Sequence, residues 1–105
     1  MATGRLGTAD LSAATDTTVY TVPASTYAVA TITVVNRGTS AANIDIALAD
    51  TGTPGNDEYI EYNTELLAKN VIERTGIVLD AGKLIVVKSS ASSVNVVVVG
   101  IETAA

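Results

Sequence analysis

The segment Tyr27-Ala28-Val29-Ala30-Thr31-Ile32-Thr33-Val34-Val35-Asn36 decides the fold class. Read with a period of two, it places Ala28, Ala30, Ile32 and Val34 on one face and Tyr27, Val29, Thr31, Thr33 and Val35 on the other. β-Branched Val, Ile and Thr fit a pleated surface and resist a helix, so the segment is a strand. The next segment alternates more sharply, with Ile44, Ile46 and Leu48 opposed to Asn43 and Asp45. Arg37-Gly38-Thr39-Ser40 separates the two and reads as a hairpin connection.

The same period extends along the chain. Thr17 to Val22 is a short strand stopped by Pro23, which has no N–H for a ladder. The polar loop Asp50 to Asp57 carries Gly52, Pro54 and Gly55, and Glu58 to Tyr62 alternates again. From Thr64 to Glu73 the spacings Leu67–Val71 and Ala68–Ile72 suit a helix face, but no capping box supports one. Two short extended pieces turning at Ala68-Lys69-Asn70 are the preferred reading, with one helical turn as the alternative. Ile77 to Leu79 is extended, Asp80-Ala81-Gly82 turns, Leu84 to Ser89 is a strand, Ser90 to Ser93 turns, and Val94 to Glu102 is the last strand. Eight or nine strands without a long helix predict an all-β, single-domain antiparallel β-sandwich, immunoglobulin-like or jelly-roll in its Greek key. Its expected core is Ile32, Val34, Ile44, Ile46, Leu48, Val86, Val96 and Val98. Residues 1–12 read as an N-terminal arm or edge strand, and residues 13–105 as the sandwich.

Composition agrees and narrows the function. The 105 residues are 48% hydrophobic yet contain no Phe or Trp, and only 16% are charged. That is ample apolar surface for one folded core. Six Lys and Arg against eleven Asp and Glu give a net charge of -5. The basic footprint that neutralises phosphates is missing, so no nucleic-acid partner is expected. Without Cys or His there are no disulfides, no thiolate zinc sites and no imidazole acid–base chemistry. Apolar runs such as Val96–Val99 are far short of the roughly 20 residues that span a bilayer, and the start of the chain lacks a signal-peptide pattern. A chain made in a cytoplasm, with no membrane partner, is the expectation.

The remaining chemistry is thin. Carboxylates near each other, such as Glu58 with Glu61 or Asp57 with Glu58, are suited in type to glycoside hydrolysis. A small chain with few large side chains builds no deep cleft around them, and an exposed, solvated loop is the simpler reading. Asp50, Asn56, Asp57 and Glu58 are hard oxygen ligands of the kind calcium takes, but their spacing is not that of an EF-hand and turn capping explains them. Gly4–Gly7 and Gly52–Gly55 do not sit between a strand and a helix, so they make no phosphate cradle. Carbohydrate or receptor binding uses exposed aromatics, for which Tyr59 or Tyr62 beside the acidic loop is the only candidate. A tyrosine covering one sandwich edge with its hydroxyl wet is the simpler reading. No catalytic residue, metal or cofactor is expected.

The C-terminal strand is the most informative. Val94, Val96, Val98 and Gly100 form one face, and Asn95, Val97, Val99 and Ile101 the other, so both faces are apolar. A two-layer sandwich buries one face of each strand. The second set must be covered, either by the N-terminal arm or the Glu65–Ile72 segment, or by another subunit. Val29 and Val35 repeat the pattern on the earlier strand. Val97, Val99, Ile101, Val29 and Val35 are therefore candidate interface residues, with the arm Ala2–Leu11 as a second anchoring element that orders on binding.

The run from Val19-Tyr20-Thr21-Val22-Pro23 through Val35-Asn36-Arg37-Gly38 resembles small β-sandwich virion proteins of tailed bacteriophages, those of cyanophages among them. Glu73-Arg74-Thr75-Gly76-Ile77, Val87-Lys88-Ser89-Ser90 and Val98-Val99-Gly100-Ile101-Glu102 resemble the second half of that pattern. Ser25 departs from it where those sequences often carry Gly. The resemblance implies a non-enzymatic virion protein, located in the particle and assembled in the host cytoplasm. It would be a capsid decoration (cement) subunit, or else a neck, tail or fibre accessory protein. The implied partners are other copies of itself, as a homo-oligomer that could be a trimer, and a major capsid or tail protein.

Overall fold

A computed structural model describes residues 2–105. Eight strands follow one another: β1 (Thr3–Leu11), β2 (Thr17–Thr21), β3 (Thr26–Asn36), β4 (Ala42–Ala49), β5 (Tyr59–Leu66), β6 (Val71–Leu79), β7 (Leu84–Ser89) and β8 (Val94–Ala104). They form two four-stranded antiparallel sheets, ordered β1-β8-β3-β6 and β2-β7-β4-β5. Pairing β1 with β8, β2 with β7, β3 with β6 and β4 with β5 makes one long antiparallel ribbon. Rolling that ribbon adds the β3–β8 and β4–β7 pairings and closes two sheets over one core. This order is the jelly-roll form of the Greek key.

Each ribbon pair contains a register shift: β1–β8 between Arg5 and Gly7, β2–β7 between Thr18 and Tyr20, β3–β6 between Ala30 and Ile32, and β4–β5 around Ile46. The two pairings made by rolling have none. Bulges increase local twist and bend the strand, which is what a ribbon needs to wrap from one sheet to the other. At Val19 the bulge also turns two successive side chains, Val19 and Tyr20, into the core.

The core between the sheets is built from Ala28, Ala30, Ile32, Val34, Val94, Val96 and Val98 on one side and Ile44, Ile46, Ile85 and Val87 on the other. Most of the expected core is therefore there, and Leu48 packs at its margin, half-buried. Val86 is a correction. It is buried, but on the outer face of the second sheet, in a small cluster with Ala47 and Ala49 that Tyr59 and Leu84 cover. Period two along β7 sends Ile85 and Val87 inward and Val86 outward, and the Tyr59 ring hides what the pattern exposes.

The connection Arg37–Ser40 is a second correction: it is a crossover between sheets. Both flanks of β3 are taken, by β8 and β6, so β4 joins the other sheet. The crossing point is held by Asn36, which is 1% exposed. Its Nδ2 donates to the carbonyls of Ser40 (2.9 Å) and Leu66 (3.0 Å), and its Oδ1 accepts from the Gly38 amide (2.9 Å). The turn at residues 67–70 separates β5 from β6 as the preferred reading expects, without a helix. At the other end, the Tyr20 hydroxyl on β2 donates to the Glu102 carboxylate on β8, which also accepts from the Ala2 amide (2.9 Å).

Two outcomes follow from these ties. Asn36→Leu keeps the volume but strands three partners, at a cost of about 2–3 kcal/mol, or a fall in Tm of roughly 10–15 °C. A Tm within about 3 °C of the parent in a thermal melt would contradict the role given to Asn36. The second outcome concerns pH. The Tyr20 hydrogen bond, then the Ala2 amide, hold the Glu102 carboxyl below its ordinary value of 4.5. Burial first, then Glu102, push the Tyr20 phenol above its ordinary value of 10.0. Glu102 thus stabilises the fold fully above its unfolded value, and the gain is lost as pH falls through its lowered one. Tyr20 stabilises below its unfolded value, and its share is lost as pH rises toward the raised one. Tyr20→Phe should flatten both the acid and the alkaline limbs of Tm against pH; limbs as steep as the parent's would show that the pair is not coupled to folding.

Candidate functional site

The unbroken β3–β8 register sets Val35 beside Asn95, Thr33 beside Val97, Thr31 beside Val99 and Val29 beside Ile101. On the β1 flank, Thr8 pairs with Val97, Arg5 with Val99 and Thr3 with Ile101. On the β6 flank, Val71 pairs with Val35, Glu73 with Thr33 and Val78 with Val29. All of these alternate with core residues, so they share the outer face of the first sheet. The five candidate interface residues, Val97, Val99, Ile101, Val29 and Val35, come together there as one patch.

Neither covering segment lies across the patch: each joins the sheet beside it, the arm as β1 and Val71–Ile72 as the start of β6. The N-terminal arm is a nine-residue edge strand, already paired beside β8 rather than waiting to order. The Glu65–Ile72 segment closes the end of the sandwich. The outer face therefore stays open, with Val78 65% and Ile101 48% exposed and Val71, Val99 and Tyr27 also exposed. Sequence reading missed Val71 and Val78, since each sits beside a more buried apolar neighbour, Ile72 or Ile77, and only the β3–β6 register brings it to the patch. Four strands about 4.8 Å apart, over four alternate residues each, make a face of roughly 500 Å².

The sheet edges are a different kind of surface. All four edge strands (β1, β6, β2 and β5) carry a bulge in their only full ladder. Gly4, Gly76 and Asn63 on three of them have positive φ. Glu73 and Arg74 charge the β6 edge, and Pro23 follows β2. Bulges, charges and proline are the devices that prevent another strand from adding to an edge. The middle of the open face, on β3 and β8, carries none of these devices.

The other sequence candidates are held by structural partners. Glu58 accepts from the backbone amides of Gly55 (2.7 Å) and Asp50 (3.1 Å), which closes the 50–57 loop on itself. Asp50 pairs with Lys83 at 3.1 Å. Glu61 binds Arg74 at 3.0 Å across the two sheets and accepts from the Thr64 hydroxyl. Glu58 and Glu61 are thus separately occupied, and no group of three or more His, Cys, Asp or Glu among the described residues is arranged for a metal. Tyr59 and Tyr62 do meet, edge to face, with centroids 4.9 Å apart. Tyr59 is half-buried over the Ala47–Val86 cluster, where burial, then Asp16 and Asp45, raise its phenol above the ordinary value. Tyr62 stands 70% exposed.

No known protein family, no curated protein and no solved structure matches the chain.

If the outer face plays no part in holding the fold, polar isosteres there are tolerated. Val71→Thr with Val78→Thr should leave the unfolding free energy within about 0.5 kcal/mol of the parent, while lowering the binding of an apolar dye. A loss of more than about 2 kcal/mol in denaturant unfolding would mean the two valines are part of a folding core.

Proposed function

We propose that the chain is a non-enzymatic structural protein of a tailed-phage particle, most simply a capsid-decoration subunit whose outer β1-β8-β3-β6 face packs against neighbouring protein subunits. One observation carries the reading: valines and an isoleucine gathered on one open face, interspersed with threonines, Arg5 and Glu73, of a small domain whose sheet edges are all blunted. An exposed patch of this size is often functional, and with the edges blunted it favours association through the face. Two faces of this size together bury about 1,000 Å², the lower bound for a specific interface. At about 25 cal/mol per Å² that is a modest gain after association costs, and it suits a subunit held by many repeated contacts on a symmetric lattice. The acidic net charge suits the outside of a shell, away from packaged DNA. The resemblance to small β-sandwich virion proteins supports the same reading. The engagement of the loop and strand carboxylates by backbone and Arg74 gives no competing reading as a catalytic site.

Val99→Asp places a charge at the centre of the patch on a side chain that the fold leaves exposed. The variant should keep the parent Tm within a few degrees and lose incorporation into particles; normal incorporation would remove this face from the account. Copy number by quantitative mass spectrometry then separates the positions. On the order of hundreds of copies per particle fits the capsid lattice, whereas roughly six to a few dozen fits a neck, tail or fibre and would refute decoration.

A further inference from the structure

On the opposite side of the sandwich, the outer face of the second sheet carries an open depression of about 420 Å³ lined by Ala14, Asn43, Asp45, Tyr62, Asn63, Lys88 and Ser90. A second depression adjoins it at Tyr62 and is completed by Asn56 and Tyr59. Two features mark its construction. Asp45 on β4 faces two residues of β5, Tyr62 and Asn63, where the ladder bulges. Asn63 is held with φ of 51° by its amide donating to Asp45 Oδ1 (2.6 Å), and Ala14, across the groove, has φ of 56°. Ser25, Lys69 and Ser93 have left-handed backbone elsewhere, so what shapes this place is the bulge, which re-aims side chains. The result is Tyr62, turned out to 70% exposure and braced edge-on by Tyr59, which is itself anchored over the Ala47–Val86 cluster.

The polar groups around it are of mixed type. Asp45 and Lys88 are direct cross-strand neighbours, yet they form no ion pair among the described residues, so acceptor and donor both face the groove. The Asn43 and Asn63 side-chain amides have no hydrogen-bond partner among the described residues, and Ser90 Oγ accepts from the Asn43 backbone N–H at 2.9 Å. One carboxylate and one ammonium cancel, which disfavours an anion. A peptide strand would need a regular ladder edge, and β5 is bulged. A ligand bearing hydroxyls both gives and accepts hydrogen bonds, and a sugar ring also has an apolar C–H face that lies on an aromatic side chain.

We propose that this groove binds a saccharide, with the Tyr62 ring under the sugar and Asp45, Lys88, Asn43 and Asn63 meeting its hydroxyls. The reading is independent of the docking face. The two surfaces lie on opposite sides of the molecule, so a subunit seated by its apolar face presents the groove outward, and many weak sites on one particle gain by avidity.

The test is a titration of the whole chain with triacetylchitotriose, maltotriose and lactose, followed by 15N–1H correlation spectra up to about 20 mM sugar, where sites of millimolar affinity approach saturation. At least one sugar should give saturable shifts centred on Asn43, Asp45, Tyr62, Asn63 and Lys88. Tyr62→Ala should weaken that binding about tenfold with the rest of the spectrum unchanged, and Tyr62→Phe should retain it. Three flat titrations, shifts that persist in Tyr62→Ala, or shifts that map to the Val99 face would each overturn the proposal.

Discussion

The eleven residues of β3 pair with β8 in one unbroken antiparallel register. Every other feature of the first sheet depends on that ladder. Because side chains alternate, an unshifted ladder fixes both faces at once. It sends Ala30, Ile32, Val34, Val94, Val96 and Val98 into the core, and it leaves Val29, Val97, Val99 and Ile101 together outside. A slip of one residue would exchange the two sets, and both are apolar enough that pattern alone gives weak protection against it. Protection comes from the ends. Asn36 ties one end of β3 to Leu66 of the second sheet, and Glu102 near the other end of β8 receives Tyr20 of β2. These polar contacts specify the register that the valines stabilise.

The two outer faces of the sandwich have been resolved differently. On the second sheet the apolar surface is small, Ala47, Ala49 and Val86, and the chain covers it with its own Tyr59. On the first sheet none of the described residues covers the valines and isoleucine, and β1 lies beside them rather than across them. Bulges meanwhile close off all four sheet edges to strand addition. On the proposed reading, such a domain would associate through one face and in one orientation, as a repeated subunit on a surface requires. A core without Phe or Trp, made from Val, Ile and Ala, is compatible with that role, since assembly adds the burial that a small domain lacks.

Much of this was legible in the sequence. Alternation through Tyr27–Asn36 and Ile44–Leu48 gives the strands and most of the core, and the doubly apolar Val94–Ile101 segment identifies the face left over. The turn at Ala68–Asn70 was also readable, because no cap supported a helix. The failures share a cause. Arg37–Ser40 has the composition of a hairpin turn, and only the occupation of both flanks of β3 makes it a crossover. Val86 follows the period correctly, but its burial depends on Tyr59, which lies far along the chain. Val71 and Val78 join the patch by pairing, and the groove around Tyr62 requires a bulge opposite Asp45 and residues from four separate segments. Periodicity reports which way a side chain points; it does not report what another strand puts over it.

The central claim is that the outer β1-β8-β3-β6 face is the one the protein buries when it assembles. Hydroxyl-radical footprinting of the free protein and of intact particles tests it side chain by side chain. Val71, Val78, Val99 and Ile101 should lose reactivity on assembly, while Tyr62, on the opposite face, keeps it. Unchanged reactivity at Val78 and Ile101, with protection at Tyr59 and Tyr62 instead, would contradict the account.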